Sequence, residues 1–409
     1  MNKINYFLAI LFMIFIFIFE FCFEISLSDI KGISLKNIVL YLMMLSLIVQ
    51  KIFFRKDLFV HNELTFFILL YCVYYFVNIS FKNLVLNKSL FSTDFLIYLK
   101  SSLDPLIVFT VLYSLSLKSS HLKKIIFFMT IIICIFNLLS LFSSFGLINF
   151  SNIYYNEKYG RVEGALHEPN ADAACIAMFI PLLASYIFFY RHKFIQIFMV
   201  LNFVLAIFAL MLTGSRGGFL AAITGLSCFY FLNQQQKKIR SILTFFSFAT
   251  VACCIIFVVF LTLPADSQFG LENNVVLRYE EQDLDSYSSG RLGVWINCIE
   301  MYIENPLLGS PKTFSKVFGC NTHNTYLEVL FYQGIIGIFL YLAIFLFQYI
   351  YAKKYYLRNN YYIYSAYISC FISFFVSMCF LNMFSLYYFF FTLSAFVLKL
   401  GLVENSEVV

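Results

Sequence analysis

Charged residues are scarce in this sequence, and their scarcity excludes a soluble globular protein. Asp, Glu, Lys and Arg make up 12% of the 409 residues, against 61% for the hydrophobic residues, and the mean hydropathy is +0.83. Soluble domains carry about 25% charged residues. Proline is rare as well, with six residues in all, so long apolar runs pass with few interruptions. The membrane is therefore the expected solvent of this chain.

Short polar breaks divide the chain into apolar runs of a length that crosses a bilayer. The runs are continuous rather than alternating, which excludes a closed β-barrel. The first run lacks a signal-peptide cleavage site and predicts a retained helix. We predict an all-α, polytopic integral membrane protein with about 12 transmembrane helices in one membrane domain, 1–409. The predicted spans are 5–23, 37–54, 63–80, 94–117, 124–145, 171–190, 194–213, 216–232, 241–263, 325–351, 360–380 and 383–402.

The cysteines do not form the pattern of a metal site or a disulfide framework. Most of the 11 cysteines fall inside apolar runs, where they act as small hydrophobic residues. Cys298 and Cys320 share a long loop, so a disulfide between them is an open alternative. No metal-ligand spacing is present, and we predict no metal site.

The distribution of lysine and arginine predicts the orientation in the membrane. An even number of spans places both termini on one side, and the short loops on that side carry most of the basic residues. The positive-inside rule makes that side cytoplasmic, which explains the net charge of +6 without a nucleic-acid partner. The opposite side holds two longer loops, 146–170 and 264–322, and long loops are where functional residues concentrate.

Two motifs with arginine precede helices on the predicted outer side. The first long loop contains Arg161 and ends in His-Glu-Pro-Asn, of which Asn170 is the last residue. The second motif, Thr-Gly-Ser-Arg-Gly-Gly at 213–218, places Arg216 at a helix start between Ser215 and Gly217. A guanidinium beside the free N–H groups of a helix N-terminus suits phosphate. The alternative is that Arg216 extends to lipid headgroups.

Two further motifs follow in the second half of the chain. Residues 291–304 predict a helix with Arg291 at its start and Trp295 on the same face, where Trp295 is either a substrate contact or an interfacial anchor. His323 and Asn324 begin the tenth span, and His323 is either a base, a phosphate ligand or a structural residue. Farther along the span, Gly334 and Gly337 predict a close helix contact.

One pair of charges falls inside a predicted span rather than in a loop. Lys100 and Asp104 are four residues apart in the fourth span, and this spacing predicts an internal ion pair. Because charge inside a membrane is often functional, both are also candidates for substrate contact.

Taken together and in order, the motifs at 161–170, 213–218, 290–309 and 323–337 resemble those of bacterial O-antigen ligases and the related O-antigen and capsule repeat-unit polymerases. The last motif fits the ligase pattern of His-Asn, nine residues, Gly, two residues, Gly. The first five spans are similar to the family in hydropathy alone.

The resemblance implies an inverting, metal-independent glycosyltransferase at the periplasmic face of the bacterial inner membrane, with no cofactor. Its donor would be an undecaprenyl-diphosphate-linked oligosaccharide, and its acceptor another lipid-linked repeat unit or the lipid A-core. Arg216 would bind the diphosphate, helped by Arg291 and Arg161, and His323 would orient or deprotonate the acceptor hydroxyl or bind phosphate. The implied substrate contacts are Ser215, Gly217, Asn324, Asn170 and Trp295.

The shared motifs do not separate a polymerase from a ligase. A chain rich in Phe and Tyr is typical of variable glycan loci and favours a polymerase, for which the resemblance implies a chain-length regulator as partner. The pattern at His323 favours a ligase. A flippase of lipid-linked sugars would place ionisable residues near the bilayer midplane, and a purely structural subunit would leave the outward arginines unexplained.

Overall fold

The computed structural model describes residues 2–20, 35–54, 57–86, 93–144, 168–233, 291–359, 362–381 and 387–407. Within these ranges every regular element is helical, which confirms the predicted all-α class. Arg161, most of the loop 146–170, the ninth predicted span and the segment 264–290 lie outside the described residues.

The described helices follow the hydropathy of the chain closely. Apart from the ninth, each predicted span coincides with a helix. The helices are α1 Asn2–Ile14, continued by a π-helix Phe15–Glu20, α2 Leu35–Phe54, α3 Glu63–Val85, α4 Thr93–Ser114, α5 Ser119–Ser144, α6 Pro169–Phe189, α7 Lys193–Leu212, α8 Arg216–Asn233, α9 Arg291–Glu304, α10 Phe314–Phe318, α11 Thr325–Asn359, α12 Tyr362–Ser377 and α13 Tyr387–Glu407.

Seven of these helices are long and apolar enough to cross a membrane, namely α2, α3, α5, α6, α7, α11 and α13. Shorter apolar helical segments cover Asn2–Phe17, Ser102–Ser114 and Tyr362–Ser377. The fold is therefore that of a polytopic membrane protein, while the total of about 12 crossings stays a prediction.

Helix α6 is the centre of the bundle, and 94% of its most apolar stretch is buried. It packs against α7, α8 and α12. Glycines on α8 allow this close approach, because a Cβ added at Gly218 would lie 2.6 Å from Cβ of Ala173 in α6. On the α12 side, Oγ of Ser373 donates to the carbonyl of Ala177 at 2.9 Å. Small residues at membrane helix contacts permit this kind of packing.

Helix α11 is broken at Gly334, inside the predicted tenth span. Gly334 has φ +69° and ψ −172°, a conformation that essentially only glycine adopts. The close helix contact predicted for Gly334 is therefore wrong, because this glycine interrupts the helix instead. Gly337 does fit that prediction, since an added Cβ would lie 3.1 Å from the ring of Tyr74 in α3.

The segment 305–310 fills the break in α11. The amide of Ser310 donates to the carbonyl of Phe331 at 2.7 Å, and the amide of Ile335 donates to the carbonyl of Pro306 at 2.9 Å. Gly309, with φ +75°, lets the two backbones meet, because its added Cβ would lie 2.6 Å from the amide nitrogen of Gly334. The segment thereby bonds backbone groups that a break leaves without intrahelical partners.

Helix α3 satisfies the other side of the break. The Tyr74 hydroxyl donates to the carbonyl of Gln333, and the Lys82 ammonium donates to the carbonyl of Tyr332. Asn78 Nδ2 donates to the carbonyl of Leu308 at 3.1 Å. Buried carbonyls need such donors inside a membrane, where water is absent, so α3, α11 and the segment 305–310 form one hydrogen-bonded unit.

We expect Gly334→Ala to lower the yield of folded protein strongly. The backbone strain alone costs about 1–3 kcal/mol, and the new Cβ would lie 2.2 Å from the carbonyl oxygen of Leu307. The matched control is Gly293→Ala in α9, where an added Cβ meets nothing within 4 Å and alanine favours the helix by about 1 kcal/mol. Thermal unfolding in detergent measures both, and equal melting temperatures would contradict the role assigned to Gly334.

Candidate functional site

The N-termini of four helices, α6, α8, α9 and α11, gather at one end of the bundle. A hydrogen bond connects the start of α6 with the start of α8. The starts of α8, α9 and α11 all contact the turn 378–381 that follows α12. The first N–H groups of a helix have no partner within the helix, and its N-terminus is the positive end of a dipole. The arrangement therefore favours an anion.

The start of α8 is held against α6 by two of the predicted site residues. Ser215 is 5% exposed, and its Oγ donates to Oδ1 of Asn170 at 3.1 Å. The same Oγ accepts from the amide of Gly218 at 3.3 Å, which caps the helix. Arg216 is the first residue of α8 as predicted, and its Nη1 is buried from solvent. Ser215 and Asn170 thus fix the position of the first turn of α8, from which the Arg216 side chain extends.

Glu168 organises the start of α6, and sequence reasoning missed it. Its carboxylate accepts from Nδ2 of Asn170 at 2.9 Å and from the amide of Ala171 at 2.7 Å. An acidic N-cap is favourable at the positive end of a helix. The signal was present in the sequence as an acidic residue directly before Pro169, since proline is common at the first position of a helix.

Arg216 and Arg291 flank the same residue, Phe380. Gly217 packs on Phe380 so closely that an added Cβ would lie 2.8 Å from the Cβ of Phe380. From the other side, Nη1 of Arg291 donates to the Phe380 carbonyl at 3.1 Å. Helix α9 spans Arg291–Glu304, which confirms the predicted helix and its start. The turn after α12 therefore brings the two arginine motifs to one place.

His323 lies in the loop that leads into α11, in a left-handed conformation with φ +49°. The next residue, Asn324, caps the helix by accepting from the amide of Leu327 at 3.1 Å. Thr325 donates its amide to the Met378 carbonyl at 2.8 Å and its hydroxyl to the Leu381 carbonyl at 2.7 Å. The turn that accepts the hydrogen bond of Arg291 thus also anchors the start of α11, two residues after His323.

Trp295 supports the His323 loop from α9. Its indole N–H donates to the carbonyl of Thr322 at 2.8 Å, and its side chain is partly buried. The hydroxyl of Thr322 in turn donates to the buried carboxylate of Glu328 at 3.0 Å. Trp295 therefore contacts the protein with its polar edge and supports the loop that carries His323.

The surroundings of His323 favour its neutral form. Burial lowers the pKa of His323 below its usual 6.5, and the nearby Arg291 cation lowers it further, while the Glu168 carboxylate opposes them. Glu168, His323 and Arg291 thus form an electrostatically coupled group across α6, the α11 loop and α9. At neutral pH the imidazole can accept a proton.

Other candidates have different outcomes. Asp104 accepts a hydrogen bond from the Tyr388 hydroxyl at 3.1 Å, and the Lys100 side chain lies outside the described residues. Cys298 is buried, Cys320 is exposed, and both are free thiols, so the alternative of a disulfide between them is wrong. Among the described residues, no cluster of three His, Cys, Asp or Glu side chains could hold a metal ion.

We expect two substitutions to shift the pKa of His323 in opposite directions. Arg291→Gln removes a cation that disfavours the imidazolium and raises the pKa, whereas Glu168→Gln removes a stabilising carboxylate and lowers it. Only the neutral imidazole reacts with diethylpyrocarbonate, so mass spectrometry of His323 modification against pH reports the midpoint. Lys312→Gln is the control, because Lys312 is exposed in the loop between α9 and α10. Unchanged midpoints in both site variants would refute the coupling.

A comparison with known families covers part of this site. The sequence model of the O-antigen ligase family matches residues 201–342, which include α8, α9, α10 and the break in α11. The match contains Arg216, Arg291 and His323. No curated protein matches the chain. Residues 201–342 are therefore similar to the O-antigen ligase family, one of the groups that the motifs resemble.

Proposed function

We propose that this protein is a glycosyltransferase that moves a glycan from an undecaprenyl-diphosphate carrier to an acceptor hydroxyl at the periplasmic face of the bacterial inner membrane. The observation that carries the proposal is the convergence of four helix N-termini, two of which begin with arginine, Arg216 and Arg291. Helix N-termini and guanidinium groups are the usual ligands of phosphate in proteins. The basic short loops at the other end support this orientation.

In this proposal the arginines act on the leaving group. As the bond between the sugar C1 and the diphosphate oxygen breaks, negative charge grows on the diphosphate, and cations placed beforehand stabilise it. Ser215 and Asn170 hold the start of α8, and Phe380 positions both arginine motifs, so little reorganisation is needed during the reaction. Arg161 remains a candidate third cation.

His323 would receive the proton of the acceptor hydroxyl. The acceptor oxygen attacks C1 from the face opposite the leaving diphosphate, which inverts the anomeric centre, and the proton passes to the neutral imidazole. The diphosphate would also neutralise part of the charge of Arg291, which otherwise lowers the pKa of His323. Donor binding would therefore make His323 a stronger base at the moment it is needed.

The acceptor in this proposal is a second lipid-linked repeat unit, which makes the protein a polymerase with a chain-length regulator as partner. The content of 54 Phe and 29 Tyr, typical of variable glycan loci, is the argument for this choice. A ligase that transfers finished polymer to the lipid A-core is the second candidate. The description of the matching family and the pattern from His323 to Gly337 favour it.

A flippase of lipid-linked sugars is less well supported by the broken helix. In transporters, half-helices at a break expose backbone groups to the substrate. Here the carbonyls of Tyr332 and Gln333 accept hydrogen bonds from Lys82 and Tyr74 of α3. The break thus serves packing between α3, α11 and the segment 305–310.

We expect Arg216→Ala and Arg291→Ala each to reduce glycan transfer by about 10²-fold or more, because each removes a preplaced cation. Lysine at either position should rescue poorly, since it lacks the planar fork of arginine. Arg191→Ala is the matched control, because Arg191 is exposed in the turn between α6 and α7 at the other end of the bundle. Gels of surface glycan, normalised to membrane protein level, measure the effect. Full transfer in both site variants would reject the proposal.

A deletion strain distinguishes the two acceptors. Loss of a polymerase should leave lipid A-core that carries a single repeat unit. Loss of a ligase should leave bare core, with long polymer retained on the lipid carrier. Gel analysis of both fractions separates these outcomes, and unchanged glycan in both would contradict a glycosyltransferase of either kind.

A further inference from the structure

A polar cavity lies at the opposite end of the helix bundle from the candidate site. The Tyr351 hydroxyl of α11 donates to Glu63 at the start of α3, so the start of α3 is level with Tyr351. The part of α11 after the break, from Ile335 to Tyr351, spans roughly 24 Å at about 1.5 Å per residue, which separates Tyr351 from the candidate site. The cavity has a volume of about 340 Å³ and is lined by Gln50, Asp57, Phe59, Val60, His61, Ser114, Ser116 and Lys399.

The walls of this cavity are held in place by hydrogen bonds between distant segments. The amide of Val60 donates to Oγ of Ser114 at 3.3 Å, and Nδ2 of Asn62 donates to the Tyr113 hydroxyl at 3.0 Å. These bonds fix the segment before α3 to the end of α4. A volume of this size and a preformed wall are typical of small-ligand sites.

The cavity contains a buried polar group whose hydrogen-bonding capacity is unused. Gln50 is 2% exposed, and within the described part of the chain its Nε2 has no hydrogen-bond partner. A buried amide donor without a partner is unfavourable, and most such groups in native proteins are satisfied. An acceptor atom in the cavity would satisfy it.

Charges of both signs line the cavity at different depths. Lys399 is buried at 9% exposure, with its Nζ 5.9 Å from the centroid of the Tyr113 ring. Asp57 is exposed. Lys399 and Gln50 offer donors in the interior, while Asp57 offers an anionic acceptor at the rim. A ligand that carries both an anionic and a cationic group would match this arrangement.

We propose that the cavity binds a phosphate ester of ethanolamine, with the phosphate at Lys399 and Gln50 and the ammonium at Asp57. A phospholipid headgroup and a soluble phosphoethanolamine share this chemistry. The location at the ends of apolar helices puts the cavity within reach of a lipid headgroup. The proposal does not depend on glycan transfer, because the cavity and the candidate site lie at opposite ends of the bundle.

Native mass spectrometry of the detergent-extracted full chain tests the proposal with defined probes. Wild type should retain phosphatidylethanolamine about tenfold better than phosphatidylglycerol, and Gln50→Leu or Lys399→Met should each reduce that retention about tenfold. Soluble phosphoethanolamine is tested by its effect on the melting temperature. Stabilisation by the soluble ester without retention of the lipid identifies a free ester as the source, and retention of the lipid alone identifies the headgroup.

A control keeps the test decisive if Lys399→Met fails to fold. Gln50→Leu removes the unsatisfied donor while keeping its volume, so the ligand-free protein should melt at the same or a higher temperature while retention falls. Lys123→Met is the matched control, because Lys123 pairs with Glu404 at 2.8 Å and does not line the cavity. The proposal would be overturned by equal retention of the two lipids together with no stabilisation by soluble phosphoethanolamine, or by a folded Gln50→Leu variant in which lipid retention and stabilisation by the ester are both unchanged.

Discussion

The structure depends on one constraint, that backbone groups at the ends and breaks of helices must find partners where water is scarce. A helix leaves its first four N–H groups and last four carbonyls without intrahelical partners, and the cost of leaving them so rises in a membrane. At α6 the partner is Glu168, at α8 it is Ser215, and at α11 it is Asn324. Each cap is also part of the candidate site or adjoins it.

The same constraint explains why the site is built from helix starts. Once an N-terminus is capped by one side chain, its remaining N–H groups and its dipole still favour an anion. Four such termini in one place create a positive region that needs few charged residues, which suits a chain with 12% charge. Arg216 and Arg291 then add full charges at helix starts. A neutral His323 beside Arg291 follows from this positive potential as well as from burial.

Hydropathy and local motifs predicted the parts of this arrangement, though not its assembly. The helices, the start of α8 at Arg216 and the bounds of α9 all follow from apolar runs and from residues next to one another in the chain. By contrast, Phe380 was not foreseen, because its role arises from contacts with Gly217 and Arg291, which are distant in sequence. The coupling of Glu168 to His323 is equally non-local. Gly334 was predicted to pack rather than to break the helix, because a left-handed backbone leaves no local signature beyond the glycine itself.

The turn 378–381 acts on its neighbours chiefly through its main chain. The carbonyls of Met378 and Leu381 accept hydrogen bonds from the amide and the hydroxyl of Thr325. The carbonyl of Phe380 accepts one from the guanidinium of Arg291. Because every residue type has a carbonyl, this support tolerates many changes of side chain but not a change of length. One residue inserted there would shift the anchors of α9 and α11 together. The spacing of this turn, more than its composition, therefore sets the register between the cations and the histidine.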